Sequence, residues 1–319
     1  MGTPKFKASG WTSANIPTQA GRTAIVTGAN SGLGYFTALE LARSGASVTM
    51  AVRSLAKGEA AKAEMLAVAP SADLTVMELD VSSLASVAAF AADWQKKNKK
   101  GLDLLINNAG VMAIPRQTTV DGFEMQFGTN HLGHFALTGL LLPALSKRPG
   151  SRVVNVSSTM HRAGRIYWDD LMGEKKYSAW SRYGQSKLAN LLFTSELNSR
   201  LAAAGLDVTA MAAHPGYAAT NLAAVAPEMK GVKADGFERR MMDWAAHAIA
   251  QPAEWGALPT LYAATFPGLP GNSFIGPDGF GGQTGYPKIA KRNKRAQSVA
   301  DARRLWSVSE QLTGVTYDF

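Results

Sequence analysis

The feature that most constrains this chain is a regular alternation of two kinds of segment from Arg22 onward. Short runs of β-branched and aliphatic residues alternate with alanine- and leucine-rich stretches of helical length. Parallel strands need such crossover helices, and their apolar runs are typical of strands covered on both faces. The sequence therefore predicts a doubly wound α/β domain with a central seven-stranded, mainly parallel sheet flanked by helices, the strands being residues 23–27, 47–52, 74–78, 102–107, 152–157, 207–213 and 273–276.

The chain has 319 residues and shows no linker between residues 22 and 213, which favours one domain over two. We expect a cofactor-binding and catalytic core at residues 22–216, a loop-rich substrate lid at 217–297, and a C-terminal helix and tail at 298–319. Long helices are predicted at 126–145 and 183–204. Within the lid region an apolar stripe recurs at helical spacing, and it fits packing against its own domain better than a substrate lid or a membrane-surface helix: Phe237, Met241, Trp244, Ala245, Ala248 and Ile249.

Composition excludes several classes of function. The chain contains no cysteine, so disulfides, thiol catalysis and cysteine metal sites are excluded. No apolar run reaches eighteen residues, and no apolar stretch follows Lys5 and Lys7 near the start. We therefore expect a cytoplasmic protein with no stable membrane insertion.

The net charge of +9 raises the question of nucleic-acid binding. Two basic runs contribute most visibly, residues 96–100 and 288–295, and neither is interleaved with aromatic residues that could stack on bases. A solvated rim is the favoured interpretation, with a nucleic-acid patch as the alternative. We expect no nucleic-acid partner.

A glycine-rich turn follows the first predicted strand and precedes a helix. Its three glycines allow a tight turn and a close approach to a pyrophosphate, whose charge is favoured at the helix N-terminus. The position between a strand and a helix at the start of a βαβ unit is the context in which such a motif is meaningful. The sequence thus predicts a Rossmann-type dinucleotide site that includes Gly28, Asn30, Ser31, Gly32, Leu33 and Gly34.

The choice of cofactor is predicted from the end of the second strand. An enzyme that uses NAD places an acidic residue there for the ribose 2′-hydroxyl, whereas this chain has Arg53. A planar, permanently charged guanidinium suits a 2′-phosphate. We therefore expect NADP(H) to be preferred over NAD(H), the alternative being that Arg53 is an ordinary surface residue.

Four motifs together make the sequence resemble the short-chain dehydrogenase/reductase superfamily over about residues 22–220. They are the glycine turn at 27–34, the Asn-Asn-Ala-Gly segment at 107–110, the serine pair at 157–158, and Tyr183-Gly184-Gln185-Ser186-Lys187. The resemblance implies a hydride transfer between a nicotinamide cofactor and a carbonyl or alcohol, with no metal.

Tyr183 and Lys187 can also be argued from chemistry. A tyrosine has an ordinary pKa of about 10 and is a poor general base near neutral pH. Lys187 lies one helical turn further along the same face. A positive charge about 4 Å away at an effective dielectric of about 20 contributes roughly 4 kcal/mol, equal to a shift of two to three pKa units. We expect Lys187 to lower the pKa of Tyr183.

The resemblance assigns roles to further residues. Tyr183 would be the general acid or base, Lys187 would also bind the nicotinamide ribose, Ser158 would polarise the substrate oxygen, and Asn130 would help to hold a water for proton relay. Adjacent strand residues point to opposite faces, so only one serine of the pair can polarise the substrate oxygen, and the resemblance implies Ser158. The remaining cofactor contacts implied by the resemblance are Asp80, Val81, Asn107, Ala109, Gly110, Pro215, Gly216 and Thr220.

Other polar residues are assigned to structure. His131 and His134 have helical spacing, but no third metal ligand is placed near them. His214 is interpreted as shaping the loop before Pro215. Asp169 and Asp170 are expected to be solvated acids of a polar insert.

The insert at residues 159–182 and the segment after it resemble the retinol dehydrogenase and protochlorophyllide reductase branch, whose members commonly take lipophilic substrates. The light-driven enzymes of that branch rely on cysteines, which this chain lacks. Its expected substrate is a lipophilic ketone, aldehyde or alcohol, bound by aromatics among Tyr167, Trp168, Tyr177, Trp180, Phe237 and Trp244. A non-catalytic NADPH-binding regulator or scaffold is the alternative. By family analogy the two long helices would pair copies into a homodimer or homotetramer.

Overall fold

The structure is a computed structural model that describes residues 10–217 and 251–319. These residues form a sheet of eight strands in the order β3-β2-β1-β4-β5-β6-β7-β8, in which all neighbours are parallel except β7 and β8. The strands are β1 (Thr23–Thr27), β2 (Ser47–Val52), β3 (Asp73–Glu78), β4 (Leu104–Asn107), β5 (Ser151–Val156), β6 (Val208–Ala213), β7 (Phe274–Pro277) and β8 (Pro287–Ile289).

The prediction of seven strands was wrong by one, because β8 was missed. This strand has three residues, of which one is a proline and one a lysine, so it shows no apolar alternation. It pairs antiparallel with β7 at the edge of the sheet, the position where proline is tolerated.

Helices cover both faces of the sheet, as expected for a doubly wound fold. They are α1 (Gly32–Arg43), α2 (Leu55–Val68), α3 (Leu84–Lys97), α4 (Met125–Phe127), α5 (Gly133–Leu145), α6 (Ala179–Ala203), α7 (Ala253–Thr265) and α8 (Val299–Thr313). Successive residues of β1 belong to different hydrophobic cores. Val26 belongs to the core that contains residues of α1, α2 and α7, whereas Ile25 belongs to the core that contains residues of α3, α5 and α6. Among residues 10–217 and 251–319, no helix combines the length and apolar character required to cross a bilayer.

The long helix predicted at 126–145 is interrupted. A π-turn at Gly128–Leu132 separates α4 from α5, and the Gly133 amide donates to the Gly128 carbonyl five residues earlier. Gly133 allows this turn to pack tightly, because a Cβ there would collide with the Val81 carbonyl oxygen. Such π-turns occur mostly at functional sites, and this one carries Asn130.

Helix α7 lies in the region predicted to be loop-rich. It is apolar around nearly its whole circumference, with Leu261 and Tyr262 fully buried, so it lacks the amphipathic pattern by which a surface helix is recognised. Pro259 inside the helix and the glycine clusters that follow it also favoured the prediction of loops in this region. The predicted stripe from Phe237 to Ile249 lies outside the described residues.

Helix α8 and the C-terminal tail cover α5 and α6. The Trp306 ring lies 5.1 Å from Phe135 of α5 and 6.0 Å from Phe193 of α6, measured between centroids. The Tyr317 hydroxyl donates to the Phe135 carbonyl at 2.6 Å. These contacts cover one face of each of the two helices that were expected to pair with another copy, and that pairing stays a prediction.

Candidate active site

The glycine turn lies at the carboxyl end of β1, beside β4, where the strand order reverses and open α/β sheets form a crevice. A Cβ on Gly34 would collide with the Gly28 carbonyl oxygen, and one on Gly28 would approach the Ala109 Cα to 3.1 Å. Ser31 precedes α1 but makes no side-chain cap to it, so the first amides of the helix remain open to an anion. This cradle fits a pyrophosphate.

Two residues that sequence reasoning left out of the site hold this cradle together. The Thr27 Oγ accepts the amides of Asn108 and Ala109, each at 2.9 Å. The Asn108 side-chain amide donates to the Thr27 carbonyl at 2.7 Å. Both residues belong to motifs already recognised, so the signal was present, but their contacts across the β1–β4 boundary depend on the folded register.

Asn107 does not face the crevice with its side chain. It is buried, and its amide donates to Thr138 at 3.0 Å and to Asn155 at 2.8 Å. The side chain of Asn107 therefore ties β4 to β5 and α5, and its contact with the cofactor stays a prediction. Asn107 is the last residue of β4 and points inward.

The residues proposed to select and hold the far end of the dinucleotide follow β2 and β3. Arg53 is exposed immediately after β2, and its guanidinium forms no ion pair with any residue that the structure describes. One oxygen of Asp80 accepts the Ser82 amide at 2.9 Å and the Ser82 hydroxyl at 2.6 Å. Val81 is buried after β3, on the same edge of the sheet.

Tyr183, Ser158 and Lys187 come together at this edge. Tyr183 and Lys187 are buried on α6, and the Lys187 ammonium nitrogen lies 5.7 Å from the centroid of the tyrosine ring. The Ser158 side chain lies near enough to the Tyr183 hydroxyl to lower its pKa by hydrogen bonding. The Lys187 ammonium donates to the Val156 carbonyl at 3.1 Å. The structure thus places an acid–base group, its hydrogen-bonding serine and a cation side by side.

The choice between the two serines is decided by their contacts. Ser157 is buried and donates to the Lys187 carbonyl at 2.7 Å, so its hydroxyl is committed to the backbone of α6. Ser158 is half-buried, and its hydroxyl oxygen accepts the Met160 amide at 3.2 Å, which leaves its proton available beside Tyr183. Strand β5 ends at Val156, so both serines follow the strand rather than pointing to opposite faces within it, as the sequence argument assumed.

Asn130 lies in the π-turn and clamps the catalytic segment to the loop after β4. Its side-chain oxygen accepts the Val111 amide at 2.8 Å, and its side-chain nitrogen donates to the Val111 carbonyl and to the Ser186 hydroxyl, each at 2.9 Å. A Cβ on Gly110 would lie 2.8 Å from the Asn130 oxygen and 3.6 Å from the Lys187 nitrogen. Gly110 therefore allows Asn130 and Lys187 to approach the same loop.

Burial dominates the protonation of the tyrosine and lysine. It raises the pKa of Tyr183 to about 12, against which the hydrogen bond with Ser158 acts weakly. It lowers the pKa of Lys187 to about 8. The expectation that Lys187 lowers the pKa of Tyr183 is therefore wrong for this structure, because desolvation of the phenolate outweighs an ammonium that donates to a backbone carbonyl.

The loop after β6 is shaped by His214. Burial lowers the pKa of His214 to about 3, and its neutral Nδ1 accepts the Gly216 amide at 3.2 Å. Gly216 has a φ of 68°, and Gln251 donates to the Pro215 carbonyl at 2.9 Å. The turn at Pro215 and Gly216 is therefore fixed by hydrogen bonds to His214 and Gln251. Thr220 lies outside the described residues.

His131 and His134 contact different side chains. The His131 Nε2 contacts the Ser309 hydroxyl at 2.8 Å, and the His134 Nε2 contacts the Thr27 hydroxyl at 2.9 Å. Within the part of the chain that the structure describes, no cluster of three or more histidine, cysteine, aspartate or glutamate residues has metal-binding geometry.

One of the predicted pocket aromatics borders Tyr183. Trp180 is about half exposed, and its ring lies 6.3 Å from that of Tyr183 at an angle of 82°. Tyr167 lies under the Arg182 guanidinium, Trp168 lies under Arg304, and the Tyr177 hydroxyl donates to a backbone carbonyl. Phe237 and Trp244 lie outside the described residues.

The insert between Ser158 and Tyr183 is held by a buried ion pair. The Arg182 guanidinium is 2.6 Å from the Asp170 carboxylate and also donates to the carbonyls of Asp170 and Lys176, each at 2.6 Å. Arg182 is 3% exposed. The expectation of two solvated acids is therefore wrong for Asp170, although Asp169 is exposed.

Known proteins resemble this chain in sequence and in structure. Residues 22–231 match the family model described as short chain dehydrogenase. Mouse retinol dehydrogenase 11 is 41% identical over 322 residues, covering 99% of this chain and 95% of that protein. Human retinol dehydrogenase 13 is 41% identical over 303 residues, covering 95% of this chain and 86% of that protein.

Solved structures give the same fold. An uncharacterised protein from Mycobacterium paratuberculosis has 48% identity and a TM-score of 0.79, covering 98% of this chain and all of that chain. The Pseudomonas aeruginosa RhlG/NADP active-site complex has 22% identity and a TM-score of 0.62, covering 81% of this chain and 94% of that chain. At that identity the second likeness concerns the fold alone.

Proposed function

The chain belongs to the short chain dehydrogenase family, and we propose that it interconverts a lipophilic ketone or aldehyde and its alcohol with NADP(H). The observation that carries the proposal is geometric: Tyr183 and Lys187 are buried one turn apart on α6, with the Lys187 nitrogen 5.7 Å from the tyrosine ring centroid, Ser158 beside the phenol, and the glycine cradle on the same edge of the sheet. The bound nicotinamide would supply the hydride for carbonyl reduction and accept it for alcohol oxidation.

The protein residues supply the proton chemistry. Reduction needs a proton on the carbonyl oxygen, and Tyr183 is protonated at neutral pH because burial raises its pKa to about 12. Ser158 would donate to the same oxygen and so orient the carbonyl beside the phenol. Lys187, held by the Val156 carbonyl, would stabilise the phenolate left after proton transfer and would bind the nicotinamide ribose. Asn130 would support the relay that restores the proton.

The cofactor would be held by backbone groups at one end and by a cation at the other. The open amides after Ser31 and the turn at Gly28, Gly32 and Gly34 suit the pyrophosphate. The exposed guanidinium of Arg53 suits a 2′-phosphate, which supports NADP(H) over NAD(H).

A lipophilic substrate is proposed from Trp180 and from the family branch. Trp180 presents about half of its surface to solvent beside Tyr183, where it offers an apolar wall to a substrate that reaches the phenol. The retinol dehydrogenases to which the chain is similar are named for a lipophilic alcohol.

The test is NADPH oxidation over a panel of carbonyls of increasing alkyl length. We expect turnover with NADPH that improves with chain length, and Trp180→Ala should raise KM for the longest substrates about tenfold, the effect of losing one buried aromatic contact of about 1.5 kcal/mol. Trp168→Ala, which removes a tryptophan covered by Arg304, is the matched control and should leave KM unchanged. No turnover of any carbonyl would contradict the proposal.

A further inference from the structure

His134 is buried between the nucleotide-binding strand and the π-turn. It is 2% exposed at the start of α5. Its Nε2 lies 2.9 Å from the Thr27 hydroxyl, and its Nδ1 lies 3.3 Å from the Asn130 carbonyl oxygen. One imidazole therefore joins the end of β1 to the backbone of the residue that clamps the catalytic segment.

The direction of both hydrogen bonds follows from the partners. A carbonyl oxygen only accepts, so the proton is on Nδ1 and is donated to Asn130. The Thr27 oxygen already accepts the amides of Asn108 and Ala109, so it donates its one proton, for which the unprotonated Nε2 at 2.9 Å is a nearer acceptor than the Ile106 carbonyl oxygen at 3.3 Å. Burial, with a smaller contribution from the Lys187 charge, lowers the pKa of His134 to about 4, so the neutral ring required by this arrangement is the stable form.

Each end of the imidazole leads to a different part of the site. Thr27 holds the loop of Asn108 and Ala109 against the glycine turn, so the Nε2 end supports the cofactor cradle. The Asn130 side chain donates to the Ser186 hydroxyl, which donates to the Tyr183 carbonyl at 2.8 Å. The Nδ1 end therefore supports the backbone that carries the catalytic tyrosine.

We propose that His134 is a positioning residue with two separable functions, in which its Nε2 holds the cofactor cradle through Thr27 and its Nδ1–H holds the Tyr183 segment through Asn130. This proposal deepens the proposed oxidoreductase function and rests on it. The imidazole itself touches neither the substrate nor the cofactor and does not exchange a proton during turnover. Its two nitrogens instead keep the two halves of the site in register.

The two ends can be removed separately by substitution. An asparagine side-chain nitrogen matches the position of the imidazole Nδ1, and a glutamine side-chain oxygen matches that of Nε2. His134→Asn therefore keeps the bond to Asn130 and loses the bond to Thr27. His134→Gln keeps the bond to Thr27 and loses the bond to Asn130. His134→Leu loses both bonds.

The experiment measures the NADPH Kd by fluorescence, kcat with the best carbonyl, and Tm for each full-length variant. We expect His134→Asn to raise the NADPH Kd about tenfold and to leave kcat within about threefold of the wild type. His134→Gln should lower kcat about tenfold and leave Kd within about threefold, since one buried hydrogen bond is worth about that factor. His134→Leu should show both losses. A purely structural role would lower Tm in both polar variants without separating Kd from kcat.

The outcomes separate this proposal from the proposed function. Equal effects of His134→Asn and His134→Gln on Kd and on kcat would overturn the role of His134 while leaving the oxidoreductase intact. If none of the carbonyls supports NADPH oxidation by the wild type, the oxidoreductase proposal fails. The difference in NADPH Kd between the two variants still decides the cofactor-cradle function, because binding needs no turnover.

Discussion

Lys187 combines a catalytic position with a cost to stability. Burial holds its pKa at about 8 against an ordinary value of 10.5. Each pKa unit corresponds to about 1.36 kcal/mol, so keeping the ammonium inside the folded protein at pH 7 costs about 3 kcal/mol. Such a cost is typical of groups kept for function rather than for folding.

We predict that Lys187→Met abolishes turnover but raises the free energy of unfolding at pH 7 by about 1–3 kcal/mol, after subtracting about 1 kcal/mol for the lost bond to Val156. Between pH 8 and 10.5 the unfolded state binds more protons than the folded state, so the wild type gains stability as pH rises and the difference shrinks towards pH 10. Urea unfolding at pH 7 and pH 10 tests this, with the exposed Lys57→Met as control. A wild type more stable than Lys187→Met at pH 7 would refute it.

The proposed preference for NADP(H) rests on Arg53. We predict that Arg53→Asp weakens NADPH binding at least about a hundredfold and leaves NADH binding within about threefold, since a charge-assisted contact to a phosphate is worth about 3 kcal/mol and its reversal adds repulsion. Titration of both cofactors measures this. Lys99→Asp makes the same charge change in the loop before β4 and controls for the net field. Equal losses for NADPH and NADH would disprove the assignment.

Individual site residues could be read from the sequence where a motif fixes their surroundings. The glycines at 28 and 34 and the spacing of Tyr183 and Lys187 belong to this class, since backbone clearance and helical periodicity are local properties. The direction in which the pKa of Tyr183 shifts could not be predicted from the sequence, because burial depends on the whole fold. The inward side chain of Asn107 was missed for the same reason.

At the scale of elements, the insert before α6 is organised by a cation rather than by its own secondary structure. Arg182, at the start of α6, reaches back to Asp170 and Lys176 and so fixes the segment that leads from Ser158 to Tyr183. Arg116 makes a single bond to the same segment, from its Nε to the Gly173 carbonyl at 3.0 Å.

We predict that Arg182→Met lowers the free energy of unfolding by about 2–4 kcal/mol, because it leaves the backbone carbonyls of Asp170 and Lys176 without the guanidinium, although the Asp170 carboxylate keeps the amides of residues 174–176. Arg116→Met, which removes one contact, should cost less than about 1 kcal/mol. Chemical denaturation compares the two. If both substitutions destabilise the protein equally, the insert is not organised by the ion pair.

The elements themselves were predictable to different degrees. Seven parallel strand positions followed from apolar runs, and α6 was expected although it begins at Ala179 rather than at Tyr183. The π-turn at Gly128–Leu132 has no periodic signal, because five residues are too few to shift the apolar pattern. Strand β8 depends on its partner β7 and on no pattern of its own.

At the scale of the whole molecule, residues of the second basic run and of the C-terminal segment pack against the core. Arg292, in the second basic run, is half-buried, and burial lowers its pKa to about 10. Its guanidinium donates to Ser195 at 2.6 Å and to the Asn272 carbonyl at 2.7 Å. Trp306 and Tyr317 close the α5–α6 face. Part of the basic run and the C-terminal helix thus stabilise the site-bearing core.

The central claim is that Tyr183 transfers the proton in an NADPH-dependent carbonyl reduction. Steady-state rates and NADPH titrations of the wild type and Tyr183→Phe test it most directly, because the substitution removes one hydroxyl and leaves the buried ring. We predict a loss of kcat of at least about a thousandfold, within the range of general acid–base catalysis, with the NADPH Kd unchanged within about threefold. A Tyr183→Phe variant that reduces carbonyls at the wild-type rate would contradict the account.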